Sequence, residues 1–322
     1  MTNNGFLFFS LTGRSACLVC LVFLSMAKWP VFGQNSLDEL LLEHHKAQQS
    51  STFAQDTQSV QRILEISKKL IYDHPDSSFL WAQQGLALAE GQAYTRGIIM
   101  SNFRMGIAHY VKSNYQPAMQ LFAKGLALSR ELGDKEQLAE GYKNMSLIYL
   151  GQQQYRDAIH ELNKAVTINR QRQDTSKLAN NFFNIAISLD ELGAYDSALH
   201  YLDEALNATT ASENRQIWVM AYNRMGETYF HMKNYEKALH YYHLVLRQEV
   251  FKSRWEDCFA HAGLGQTYLA LEKYDLALEH AQQSYQVARD MKAQWDTERA
   301  LRILSRIYAA REDFKEAYHY HQ

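Results

Sequence analysis

Cysteine, proline and an excess of either charge are all scarce in this sequence. Three cysteines in 322 residues make no disulfide framework. Three prolines and 15 glycines exclude a collagen-like or low-complexity chain. With 33 basic against 35 acidic residues there is no bulk positive charge to draw nucleic acid or anionic lipid. After residue 33 no run is apolar enough to cross a bilayer, which takes about 20 residues. What is present is 47% hydrophobic residues, enough to exclude a wholly disordered chain and to suit an ordered, mostly helical one.

The first 33 residues differ from the rest. A single basic residue, Arg14, precedes an apolar run from Ala16 to Ala27, and the small residue Gly33 follows with Val31 two positions before it. This reads as a secretory signal peptide over residues 1–33, cleaved near Gly33. An uncleaved N-terminal anchor is the alternative. The expected location is therefore periplasmic or envelope-associated. Setting the leader aside leaves 289 residues, 31 basic against 35 acidic, with Cys258 as the one remaining cysteine. An exported chain of that kind holds together by packing alone.

Internal repetition dominates the chain beyond the leader. Small residues at Gly106, Ser146, Ala186, Gly226, Gly265 and Ser305 are spaced 40, 40, 40, 39 and 40 apart. After each come aromatics and an alanine at fixed offsets, as in Gly226, Tyr229, Tyr235, Ala238 and Tyr242. Each unit splits into two helices by its apolar periodicity. Tyr222, Met225, Gly226 and Tyr229 share one helical face, Met232-Lys233-Asn234 forms a polar joint, and Tyr235, Ala238, Leu239 and Tyr242 share a second face. So short a joint forces an antiparallel pair, and one pair alone cannot bury both faces. Gly226 and Ala238 are expected where two helix backbones approach closely, with Tyr229 and Tyr235 filling the space beside them. Asp134 and Asp174 read as helix caps, and Gly133 as a helix end.

A less regular pair comes before these six. Val60–Tyr72 and Phe79–Ala89 read as its helices, with a joint at His74–Ser77 where Pro75 stops the first. Ser36 to Glu39 matches a capping box that opens a short helix through Leu42, and 48–57 is polar and loose. The expected organisation is a cap over 34–57, a degenerate repeat over 58–97 and six repeats over 98–322, the last incomplete.

The pattern small–x–x–Tyr, then Tyr–x–x–Ala–x–x–x–aromatic or Leu–x–x–Ala, resembles the tetratricopeptide repeat in its longer, 40-residue form. The resemblance covers roughly residues 60–322 and implies an all-α fold, a right-handed superhelical solenoid of antiparallel helix pairs. Pro75-Asp76-Ser77 before a helix, with segments such as Glu131-Leu132-Gly133-Asp134, is similar to exported arrays of Bacteroidetes-type bacteria. In many of those the array is the sensory half of a membrane signalling protein. The chain stops at His319-Tyr320-His321-Gln322, within the second helix of the sixth pair, so an output region beyond Gln322 is one expectation.

By similarity to the family, the first helix of each pair lines a concave groove. The groove candidates are Arg104, Lys143, Asn144, Phe183, Asn184, Asn223, Arg224 and Glu227. The resemblance makes Asn144, Asn184 and Asn223 partners for a peptide amide, and Arg104, Lys143 and Arg224 receivers of a carboxylate. Phe183 departs from the paired lysine–asparagine pattern of carboxylate-clamping members, so no clamp of that kind is assigned. Phe103, Ile107, Leu147, Ile187 and Phe259 make the groove rather apolar, which suits a segment with hydrophobic anchors.

Catalytic and metal signatures are sparse. No HExxH, phosphate-binding glycine loop or GxSxG occurs, and Cys258 stands beside acids that disfavour a thiolate. His160, His200 and His240 recur in register, one repeat or about 10 Å apart, too far for shared coordination at about 2 Å. The sequence thus reads as no enzyme, with no cofactor, metal or nucleic acid. The expected function is an exported scaffold that binds protein or peptide. The alternative is the extracytoplasmic sensory part of a membrane histidine kinase or transcriptional regulator.

Overall fold

A computed structural model describes residues 34–212, 215–248 and 251–321. The expected signal peptide lies outside the described residues. The chain divides into two units, Met1–Ser51 and Thr52–Gln322. The first contributes α1 (Gln34–Gln48). It is already helical at Gln34 and continues past Leu42, so Ser36 lies inside the helix and not at its cap. The segment Glu43-His44-His45-Lys46-Ala47 contains no glycine or proline, and nothing in it ends a helix.

The second unit consists, among the described residues, of helices in antiparallel pairs. The first two pairs are α2 (Thr57–Leu70) with α3 (Pro75–Gly91), and α4 (Thr95–Val111) with α5 (Tyr115–Leu132). Next come α6 (Lys135–Gly151) with α7 (Tyr155–Gln171), and α8 (Thr175–Glu191) with α9 (Tyr195–Ser212). The last three are α10 (Arg215–His231) with α11 (Tyr235–Arg247), α12 (Arg254–Ala270) with α13 (Tyr274–Asp290), and α14 (Gln294–Ala310) with α15 (Phe314–His321). The fold is all-α, a solenoid of stacked helix pairs. Pro75 occupies the first turn of α3, where its missing N–H costs nothing, so the joint before it is shorter than the sequence suggests.

The 40-residue period is two 20-residue steps. Left-handed residues stand at Ala93, Ser113, Gly133, Gln153, Gln173 and Gly193, twenty apart, and again at Glu272, Lys292 and Glu312. Each closes a helix in the same way: the N–H of the following residue reaches back five positions, as in Asn114 to His109 (2.9 Å), Gln154 to Tyr149 (2.8 Å) and Ala194 to Leu189 (2.9 Å). Asp134 then caps α6 by accepting from Glu136 and Gln137 N–H, and Asp174 caps α8 by accepting from Lys177 N–H. The one 39-residue spacing has a local cause. α11 ends at Arg247, and Gln248 is extended, with its side-chain amide bonded to Phe251 N (2.9 Å) and O (2.6 Å).

Packing between the two helices of a pair follows residue size. The second-helix residue at one register position is Phe122, Leu162, Leu202, Tyr242 or Ala281, and each is buried. The matching first-helix residues are Gly106, Ser146, Ala186, Gly226 and Gly265, so the two bulky rings face glycine. A methyl on Gly106 would lie 2.4 Å from the Phe122 ring. Tyr242 is held from both sides: a methyl on Gly226 would come within 2.7 Å of its ring, and one on Gly263 within 2.2 Å. The expected close backbone approach at Gly226 is therefore a ring seat. The backbone approach occurs at Gly265, whose missing methyl faces Ala281 N at 3.3 Å. Tyr229 stacks on Tyr241 with centroids 5.4 Å apart, and Tyr235 lies 5.8 Å from Phe230.

First helices of neighbouring pairs also pack on one another, at α2–α4, α4–α6, α8–α10, α10–α12 and α12–α14, whereas among the described residues second helices of neighbouring pairs do not pack in this way. The first helices therefore form the inner, tighter face. α6 and α8 are the exception and pack more loosely than these.

The Tyr242 seat is testable by a double-mutant cycle. Gly263→Ala should cost about 1–3 kcal/mol through overpacking, and Tyr242→Leu should remove most of that cost in the double variant. Urea melts of the four proteins measure the coupling. Strictly additive effects would contradict the ring seat.

Candidate functional site

The inner face holds a hollow of about 360 Å³ among α4, α6 and α8. Its lining comes mostly from the first helices, with Asn169 of α7 and Tyr72 added. On α6, Glu136, Glu140, Lys143 and Leu147 recur at spacings of four, three and four. α4 contributes Arg104, α8 contributes Lys177, Asn180, Asn181 and Asn184, and α2 adds Lys68.

The charges in this hollow are unevenly satisfied. Lys143 donates to Glu140, and Lys177 reaches the other oxygen of the same carboxylate at 3.3 Å. Glu136 receives Arg96 at 2.7 Å and Arg172 at 3.3 Å. Burial alone would raise the Glu140 carboxyl, but Lys143, Lys177 and Arg104 outweigh it and hold it well below the usual carboxylate range. Burial pushes the Lys143 ammonium down, with Glu140 opposing. Arg104 makes no hydrogen bond or ion pair among the described residues. The Asn181 amide nitrogen is buried and has no partner. Of the four cations lining the hollow, Lys68 pairs with Glu65 at 3.5 Å and Lys143 and Lys177 with Glu140, which leaves the Arg104 guanidinium and the buried Asn181 donor uncommitted.

Further along the inner face, Arg224 and Arg299 share Glu227 and lie against the Phe259 ring at 5.2 and 4.2 Å. Asp190 accepts from His231 Nδ1 at 2.9 Å in its protonated form, and this bond raises the His231 pKa against the opposing effect of burial.

Arg104, Lys143 and Asn184 line the hollow, and Arg224 and Glu227 form the second cluster. The other candidates are placed elsewhere. Asn144 is fully buried, with neither amide atom partnered and neither reaching the hollow. Phe183 is buried in the core with Leu202 and Met225. Asn223 is buried and donates to Glu256 O (3.0 Å) and Oε2 (2.7 Å) across to the next repeat. The cause is helical phase, since one residue turns a side chain by about 100°. In α4 and α8 the half-buried position is Arg104 and Asn184, whereas in α6 it is Lys143, one place earlier in the repeat. Glu140, Lys177 and Asn181 escape the sequence reading because the family's groove positions lie nearer the small residue. The three-residue spacing of Glu140 and Lys143 is the signal that could have found them. Burial raises the Cys258 thiol, consistent with its structural place against Ser284 O at 3.4 Å.

Comparison with known proteins agrees with this geometry. Tetratricopeptide repeat models match residues 139–172 and 219–290. No curated protein sequence matches the chain. Among solved structures, NprR in complex with its cognate peptide NprX is similar, with 17% identity, a TM-score of 0.58, and coverage of 91% of this chain and 89% of that one. Aspartyl phosphate phosphatase F from Bacillus subtilis aligns at 16% identity with a TM-score of 0.63, over 88% of this chain and 73% of that one. A signal transduction ATPase with a tetratricopeptide repeat sensor, from Pyrococcus horikoshii, aligns at 17% identity with a TM-score of 0.61, over 81% of this chain but 40% of that one. At these identities the likeness is one of fold. The chain is a tetratricopeptide repeat protein of the 40-residue period.

Two titrations arise from the site. Glu140 has a depressed folded pKa, so its contribution is present above its ordinary value of 4.5 and is lost as pH falls below it. His231 has a raised folded pKa, so its contribution is full below about pH 6.5 and is lost as pH climbs through the raised value. Glu140→Gln should therefore flatten the acid limb of the stability curve. His231→Gln should cost more near pH 6 than near pH 8.5, a difference denaturant melts at the two pH values will show.

Proposed function

We propose that this chain is a scaffold whose inner face, at α4, α6 and α8, binds an extended protein segment or peptide through an acidic side chain or a free carboxylate. The observation that carries the reading is the uncommitted pair, Arg104 and the Asn181 amide, in a hollow with more cations than anions. A carboxylate is the group that matches them, because it accepts a guanidinium and an amide N–H together. Leu147 lines the hollow, and with the half-buried Ile107 and Ile187 at the same register position of α4 and α8 it can seat an apolar neighbour in the same ligand. The similar fold of NprR holding its cognate peptide supports the choice of ligand class. The surface is assigned binding and no bond chemistry.

Export belongs to the same proposal and rests on Arg14 and the apolar run to Ala27. Among the described residues no helix is long and apolar enough to cross a membrane. A sensory role, in which an occupied groove is read by a signalling partner, uses the same surface. The Pyrococcus neighbour, whose repeats are named a sensor, favours keeping it as the second reading.

Selection of peptides from a random displayed library against the chain tests the binding reading. The selected peptides should be enriched in Asp, Glu or a required free C-terminus. Arg104→Ala should weaken them about 10- to 100-fold, the worth of a hydrogen bond to a charged group, while leaving the thermal melt unchanged. Equal affinity for parent and variant would sink the assignment. Export is checked separately by N-terminal sequencing of protein from the cell envelope, where a chain beginning shortly after Gly33 is expected and an intact Met1 in the cytosol is the contrary result.

A further inference from the structure

One inter-helix position changes its chemistry between the repeats of α8–α9, α10–α11 and α12–α13. Phe182 faces Tyr201 with centroids 5.9 Å apart, and one repeat later Tyr222 faces Tyr241, also at 5.9 Å. Adding the local 39-residue spacing to 222 and 241 gives 261 and 280, and both are histidine. His261 and His280 stand with centroids 5.2 Å apart and their Nδ1 atoms 3.0 Å apart, across the face between α12 and α13. The two preceding repeats show that carbon rings fill this space, so packing alone does not call for two imidazoles.

The pair is enclosed by aromatic and imidazole groups. Tyr268 stacks on His280 at 5.5 Å, and His243 stands edge-on to His280 at 6.1 Å with its Nε2 3.3 Å from the Tyr268 hydroxyl. Burial, with His280 and His243 adding to it, holds His261 down at about 4, and burial also lowers His280 and His243. At neutral pH the rings are uncharged. Of two facing Nδ1 atoms at most one can donate, so at least one lone pair already points into the gap.

The spacing suits a metal ion. Two nitrogens each about 2.0–2.1 Å from one ion lie about 2.9 Å apart when at right angles, and about 3.4 Å apart in a tetrahedron. The observed 3.0 Å falls near the first value, that of neighbouring ligands on a tetragonal ion. We propose that His261 and His280 chelate one divalent late transition ion through their Nδ1 atoms, Cu²⁺ or Ni²⁺ in preference to Zn²⁺. The ring that carries its proton on Nδ1 moves it to Nε2, so both imidazoles stay neutral and no proton is released. Among the described residues no three His, Cys, Asp or Glu side chains converge on one point, so the protein supplies two ligands and water the rest. Neutral imidazoles compete little with protons, and binding persists below the pH at which an exposed histidine pair would let go.

The test titrates Cu²⁺, and separately Ni²⁺, into the full chain by calorimetry at neutral pH. His261→Gln and His280→Gln should each lose the same single equivalent, or bind it at least about tenfold more weakly, while His240→Gln keeps it. A second variant guards against misfolding: His261→Tyr with His280→Tyr restores the ring pair of the preceding repeat. It should melt at least as high as the parent without metal and lose the metal-induced rise in Tm. Unchanged stoichiometry and affinity in the single variants, or a full metal-induced rise in the double tyrosine variant, would overturn the proposal.

Discussion

The structure depends on one constraint, the fit of a large second-helix side chain into the gap left by a small first-helix residue. Tyr242 shows it most clearly, because glycines from two successive first helices, Gly226 and Gly263, enclose one ring. The ring thereby fixes both the pairing of α10 with α11 and the placement of α12. At the other end the roles are reversed: Phe103, on the first helix α4, is seated against Gly125 of α5 and Gly141 of α6, where methyls would lie 2.4 and 3.1 Å from its ring. Overpacking is costly in a close-packed interior, so these contacts admit little variation in helix spacing. Constant spacing lets a 20-residue step propagate into an array.

The array determines what its inner face can offer. First helices pack on first helices, so their outward stripes run side by side along the inside. Charge can then bridge repeats, as Lys177 does to Glu140 and Arg96 to Glu136. Where α6 and α8 pack more loosely, the Lys177–Glu140 bridge lies in a hollow, and the groups left over there are Arg104 and Asn181. Candidate site and fold defect are therefore the same feature. Such buried, partly satisfied polar clusters are costly to keep for stability alone.

The fold is legible in the sequence because its determinants are local. Small residues at a period of 40, the aromatic offsets and the caps at Asp134 and Asp174 all act within a few residues of themselves. The lengths of α1 and α3 are less legible, since the sequence between Glu43 and Ala47 carries no stop signal and Pro75 starts a helix as readily as it ends one. The groove is legible only in part. Arg104, Lys143 and Asn184 fall on the right stripe, but Asn144, Phe183 and Asn223 each turn into the interior through a phase difference of one residue. The His261–His280 pair is hidden for another reason. A repeat pattern aligns equal positions of successive helices, whereas this pair joins two different positions of one repeat.

The central claim is that the inner face at α4, α6 and α8 is held ready for an anionic group. Nuclear magnetic resonance of the Arg104 Nε–H and Asn181 side-chain amide signals, during titration with a saturating acidic peptide obtained by selection, tests it at the atoms concerned. The account predicts that both signals move together with one affinity while the amide of Asn144, which does not line the hollow, stays in place. Shifts confined to the second helices, with Arg104 and Asn181 unmoved at saturation, would contradict it.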